Sequence, residues 1–204
     1  MALSTYANLK TALAAALNVP EAQISSRADD IITLAEKEIW RDLRVKEMET
    51  SLSVSTSTNV ISIPSGFLDL KYATILDATS AQDGYHLDIV SSEFIVRNYP
   101  NNHTTARPRF VAVELTNFRL GPEPDTDYLI NGVYWAEQTA VSTSANPVFA
   151  KYPQIYLHNA AYHAEMWLGR DERAPMWKRM YLGDVRKMNL ENRRAEGYAM
   201  PHYF

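Results

Sequence analysis

The constraint that bears hardest on this chain is that its apolar period changes twice. Residues 146–188, NPVFAKYPQIYLHNAAYHAEMWLGRDERAPMWKRMYLGDVRKM, read as two helices joined by a tight charged turn, and about a hundred mostly strand-like residues precede them. Leu157, Ala161, Ala164 and Leu168 recur at i, i+4, i+7 and i+11, the spacing of one helical face. Pro153 suits a first turn, where its missing donor costs nothing, and Gly169 suits a terminator. Asp171 is expected to cap the next helix, with Pro175 inside its first turn. Trp177, Tyr181, Val185 and Met188 then carry a second stripe.

The N-terminal part is also helical. Ser4 or Thr5 can cap a helix through Leu17, which Asn18-Val19-Pro20 ends. Ser26 with Asp29 resembles a capping box for a second helix. That helix places Ile32, Ala35, Ile39 and Leu43 on one stripe, with Trp40 near its edge and Glu36, Lys37, Arg41 and Asp42 on the wet side. From Glu47 the period becomes two. Leu52 and Val54 alternate with serines, and Val60, Ile61 and Ile63 follow a polar turn, which predicts a β-hairpin ended by Pro64-Ser65-Gly66. Further strands are predicted at 70–76, 85–89, 109–115, 117–120 and 128–135, with a short helix over 91–99 capped by Ser91 or Ser92 and a polar loop from Pro100 to Pro108.

These elements predict an α+β fold in which N- and C-terminal helices pack as one bundle around an inserted β-rich domain. Residues 1–46 and 147–196 would form the bundle, 47–146 the insertion, and 197–204 an aromatic tail.

Composition narrows the chemistry. A net charge of −4 supplies no basic footprint for tight nucleic-acid binding, and does not exclude a surface lining a passage for DNA. With no cysteine, disulfides, thiol catalysis and thiolate metal sites are impossible. The N-terminal alanine-rich run has its lysine in the middle and reads as an ordinary helix, not a signal peptide. No apolar run reaches the roughly 20 residues of a membrane span, so no membrane role is expected.

No catalytic, cofactor or metal site is expected either. His158 and His163 are five apart, about 140° around a helix, so they cannot share a metal as an i, i+4 pair can. His86, His103 and His202 are isolated. Asp29-Asp30 belong near a helix start, and Glu123, Asp125 and Asp127 sit in a proline-rich turn without EF-hand spacing. The glycines form no phosphate loop or nucleophile elbow.

Two basic groups and the tail remain. Arg170, Arg173, Lys178 and Arg179, mixed with Asp171 and Glu172, read as a solvated helix surface with local ion pairs. Arg186, Lys187, Arg193 and Arg194 complement the dipole at the end of the last helix, and could also face a partner. The tail, with Tyr198, Met200, Pro201, His202, Tyr203 and Phe204, is apolar where free tails are usually polar. It either folds back on its own bundle or docks into a neighbour, and aromatic anchors favour docking. Arg193, Arg194 and residues 198–204 are therefore the candidate interface with a neighbouring subunit or another partner.

Four segments in order resemble the head-to-tail adaptor proteins of tailed, podovirus-like phages: AEKEIWRDLRV, SIPSGFLDLKYATI, FRLGPEPDTDYLINGVYWAE and YPQIYLHNAAYHAEMWLGRDERAPMWKRMY. The resemblance implies a structural homo-oligomeric ring, dodecameric in that family, at the head–tail junction of the virion and assembled in the host cytoplasm. Its partners would be the portal protein and a tail nozzle or tail tube protein. Double-stranded DNA would pass through the lumen without sequence-specific binding. Ring contacts of this kind are heterologous, each copy presenting two different faces. A rival reading is a β-rich module with helical flanks that binds a peptide or sugar in a groove lined by Tyr85, Tyr134 and Trp135. A hydrolase using dispersed His and Asp is the remaining alternative.

Overall fold

In a computed structural model, the structure describes residues 3–77, 84–100, 105–144 and 146–197. The fold is α+β, and the chain divides into two compact units, one of residues 1–48 with 137–204 and one of 49–136.

The first unit is helical. α1 (Tyr6–Leu17) starts at Thr5, whose hydroxyl accepts the Asn8 N–H, and ends at Asn18 in the left-handed region with φ 54°. α2 spans Glu21–Asp42, so the predicted capping box at Ser26 and Asp29 is wrong. Pro20 is its N-cap without a side-chain bond, and Ser26 is exposed inside the helix. The apolar face simply extends backward through Ile24, Ala28 and Ile31, and this continuity outweighs the local capping signal. Ile32, Ala35, Ile39 and Leu43 are buried as predicted.

After the β unit the chain re-enters the helical unit. A short helix that the sequence reading missed, α4 (Pro147–Lys151), is capped by Asn146, which accepts the Phe149 N–H at 3.0 Å. α5 (Pro153–Trp167) has its proline in the first turn, and Gly169 turns the chain at φ 68°. Its buried face is rotated from the predicted stripe. Ile155, Tyr156, Asn159, Ala160, Ala161, Ala164 and Glu165 point inward, while Leu157 and Leu168 are only half-buried. α6 (Ala174–Ala195) buries Tyr181, Val185 and Met188, with Trp177 half-buried. Asp171 does not cap it; the N-cap is Arg173, with no side-chain bond. α5 packs on α1, α2 and α6.

The β unit holds β1 (Glu49–Thr56), β2 (Val60–Ser62), β3 (Phe67–Asp77), β4 (Tyr85–Ile89), α3 (Ser92–Asn98), β5 (Phe110–Glu114), β6 (Asn117–Gly121) and β7 (Tyr128–Ala136). The strand ranges follow the sequence alternation closely, and Ser91 caps α3 by accepting the Phe94 N–H. The expected hairpin of the first two strands does not form. β1 pairs with β7 and β2 with β6, at opposite ends of the order β1-β7-β3-β4-β5-β6-β2. A flat sheet of this order would hold its edges roughly 29 Å apart at ~4.8 Å per strand. Residues 57–59 can bridge at most about 15 Å, at ~3.8 Å per peptide step. The sheet must therefore curl strongly. Leu52 of β1 and Ile61 of β2 accordingly share one buried cluster with Leu70, Ile75, Phe118 and Ile130.

Candidate interface surfaces

The helical unit is tied internally by polar pairs that the sequence placed on its surface. Glu36 is buried and accepts the Val141 N–H at 2.7 Å. Burial raises its pKa, with the Val141 bond and Lys37 opposing. Period alone assigned Glu36 to the wet side because its partner comes from the distant 137–146 segment. Glu38 gathers Lys178 (2.5 Å), His163 (3.0 Å) and Arg41 (3.1 Å). Burial works to raise the Glu38 pKa, but the bonds from Lys178, Asn159 and His163 together hold it low. Burial also lowers His163, partly offset by Glu38. His158 pairs with Asp184 at 2.8 Å. Both histidines are thus structural partners between helices.

The charged turn between α5 and α6 is more than solvated. Glu165 of α5 is fully buried, with Arg173 Nε 3.2 Å and Arg170 Nη1 3.9 Å from its carboxylate. Arg170 also donates to the Leu17 carbonyl, tying the turn to the end of α1. Asn189 and Asn192 of α6 accept the backbone N–H groups of Arg44 and Lys46, fixing the chain just before it leaves the unit.

Outside this network lie large apolar side chains. Met166, Trp167, Met176, Met180 and Leu182 are each exposed to about half their surface. Arg186, Lys187, Arg193 and Arg194 are exposed, the last two in the final turn of α6. Residues 198–204 of the candidate interface lie outside the described residues, as do His103 and His202.

In the β unit, the proposed aromatic groove is not assembled. Tyr134 is buried against Phe67 with ring centroids 5.6 Å apart, whereas its neighbour Trp135 projects to the other face beside Lys71. Tyr85 donates to the Pro108 carbonyl at 2.5 Å. Tyr128 donates to Asp125 at 2.7 Å; burial and that bond push its pKa up to about 12. Asp125 is thereby a partner of the turn itself. Among the described residues, no three histidine or carboxylate side chains converge as a metal site would require.

Two surface features were not foreseen. Leu115, at the tip between β5 and β6, is 94% exposed and holds φ 53°, a conformation that an L-leucine rarely adopts. An open groove of about 590 Å³ lies between β1 and β2, lined by Val54, Ser55, Thr56, Val60, Ile61 and Ser62 among others. The sequence signal for it was the serine-rich alternation, which was read only as a solvated strand face.

No described helix is long and apolar enough to cross a membrane. No curated protein matches the chain. Over residues 4–202 it matches the family described as SU10 adaptor protein.

Proposed function

The chain belongs to the SU10 adaptor protein family, and is thus a phage adaptor protein; from this premise we propose that it forms a ring joining the portal to the tail nozzle or tail tube protein of a podovirus-like phage. The observation that carries the reading is the extent of the match, which takes in both units instead of one borrowed module. The ring is dodecameric and sits at the head–tail junction of the virion, after assembly in the host cytoplasm. DNA passes through its lumen without sequence-specific contacts, in keeping with a net charge of −4.

The role is mechanical and not catalytic. Exposed methionines and Trp167 offer the kind of surface that association buries, because aromatic and methionine side chains are enriched where interfaces desolvate. Arg193, Arg194 and the tail Tyr198, Met200, Pro201, His202, Tyr203 and Phe204 contact the portal or an adjacent protomer. Sizing of the purified chain mixed with portal rings tests this directly. The chain should co-elute with the portal, and deletion of residues 197–204 should abolish co-elution while leaving the helical circular-dichroism signal intact. Unimpaired joining by the deletion variant would remove the tail from the interface. Failure of the intact chain to join would remove the adaptor reading.

A further inference from the structure

The curled sheet leaves two strand edges that no described segment covers. β1 pairs along its whole length with β7, and β2 pairs only with β6; no β1–β2 pairing exists among the described residues. Near the 57–59 link the two edges are at most about 15 Å apart. Laying one extended chain between them needs roughly twice the ~4.8 Å strand spacing, which the link permits. The open groove lies along this seam.

Folded proteins guard such edges with charge, proline or bulges, because unpaired backbone donors and acceptors invite another chain. Among the described residues this edge carries none of these guards, although the Val60 carbonyl already accepts the Thr58 hydroxyl at 3.0 Å. Residues 50–68 contain no charged side chain, and the first proline, Pro64, comes only after β2 has ended. Ser51, Ser53 and Ser55 face solvent, while the half-buried Val54 and exposed Val60 give the groove apolar contact. Asp127 is the one acidic residue lining it.

We infer that the β1–β2 seam receives residues 198–204 of a neighbouring copy by strand addition. The segment YAMPHYF has no Lys, Arg, Asp or Glu, so it would bring no unpaired charge onto strand residues 50–62, which are uncharged, and Asp127 is the one charge it would meet in the groove. Extended, its seven residues span about 23 Å, close to the ~26 Å of the eight-residue β1. Alternation places Tyr198, Met200, His202 and Phe204 on one side, so main-chain bonds supply affinity and alternate side chains supply specificity. Pro201 is compatible where its nitrogen faces away from the accepting edge. α6 has ended at Ala195, and Gly197 holds φ 79°, outside helical geometry. This occupant rests on the ring reading, since each copy gives one tail and accepts another.

The absence of cysteine makes the test clean. Full-length copies carrying Ser55→Cys are mixed with copies carrying Ala199→Cys under a mild oxidant and run on a non-reducing gel. Linked pairs of the two variants are expected, and an excess of a synthetic peptide of residues 197–204 should suppress them. In parallel, that peptide with a fluorescent label is titrated into the chain lacking 198–204. It should bind, with at least tenfold weaker binding in the Val60→Lys variant, whose lysine enters the groove. Copies that associate but give neither linkage nor peptide binding overturn the seam while leaving the ring standing. Linkage only within a chain that carries both cysteines overturns the neighbour as donor. Linked pairs that never join a portal leave the seam intact and remove the ring at the portal. If copies stay monomeric, the peptide titration alone decides.

Discussion

The two units solve the problem of specifying a core in different ways. Inside the helical unit, Glu36, Asn146, Asn159 and Glu165 are buried among the aliphatic residues, each aimed at a particular backbone group or cation. The interior of the β unit is apolar, with Asn59 as its one buried polar side chain among the described residues. Buried polar groups are costly unless satisfied, so they fix which helix faces meet and in what register. An apolar interior is fixed by alternation and shape, and leaves specificity to the strand edges. The helical unit thus spends its polar groups inward, and the β unit keeps its backbone groups available outward.

The largest effect that would break this contrast is in the β core. Phe118 is buried and meets the Phe67 ring edge-on at 5.2 Å, so Phe118→Ala is expected to cost about 3–5 kcal/mol. Urea unfolding followed by Trp135 fluorescence, with the other three tryptophans replaced, reads it; a loss below about 1 kcal/mol would mean the curled sheet is not held by this cluster.

Acid sensitivity is the next test, and it should reside in the helical unit. The folded His163 pKa lies below its unfolded value, so the unfolded chain binds more protons, and stability falls as pH drops through the normal histidine range near 6.5. Glu38, held low, adds a loss as pH falls below 4.5. Glu36 acts in the opposite direction, since the folded state keeps its proton longer and gains stability as pH falls. In the β unit the resolved shifts, on Tyr85 and Tyr128, are upward on phenols and lie far from this window. The helical melting temperature is expected to drop between pH 7.5 and 5.5 by a few degrees, and His163→Gln should flatten that drop. An unchanged slope in the variant would place the sensitivity elsewhere.

The smallest effect has the opposite sign. Leu115→Gly relieves the left-handed strain and removes an exposed apolar group, and should stabilise by about 0.5–1 kcal/mol despite the added freedom of the unfolded chain. A loss of stability in the same urea experiment would show that the leucine packs within its own unit.

Much of this architecture was legible because its signals are local. Thr5, Ser91, Pro153 and Gly169 act on their own turns, and each marks the boundary that the sequence predicted. What escaped depends on residues far apart. Glu36 looks exposed until Val141 supplies a donor 105 positions later. β1 and β2 look like a hairpin because only residues 117–135, far downstream, reveal better partners for both. Asn146 reads as the last residue of the insertion until its side chain caps α4. Of the candidate interface, the exposure of Arg193 and Arg194 followed from helix position, whereas the groove could not be read because it exists only once the sheet curls.

The pairing of Glu49 with Trp135 has a consequence for how the protein is made. On a ribosome, α1 and α2 emerge first and must wait for α5 and α6 before their apolar faces are covered. The β unit can fold during that wait, and its first and last strands then stand side by side. The chain that must be closed to complete the helical unit shrinks from the whole insertion to a short clasp. Loop-closure entropy values that contraction at on the order of 3 kcal/mol. An insertion that folds first would thus serve as a chaperone in cis for the two ends, turning a slow long-range search into a nearly local one.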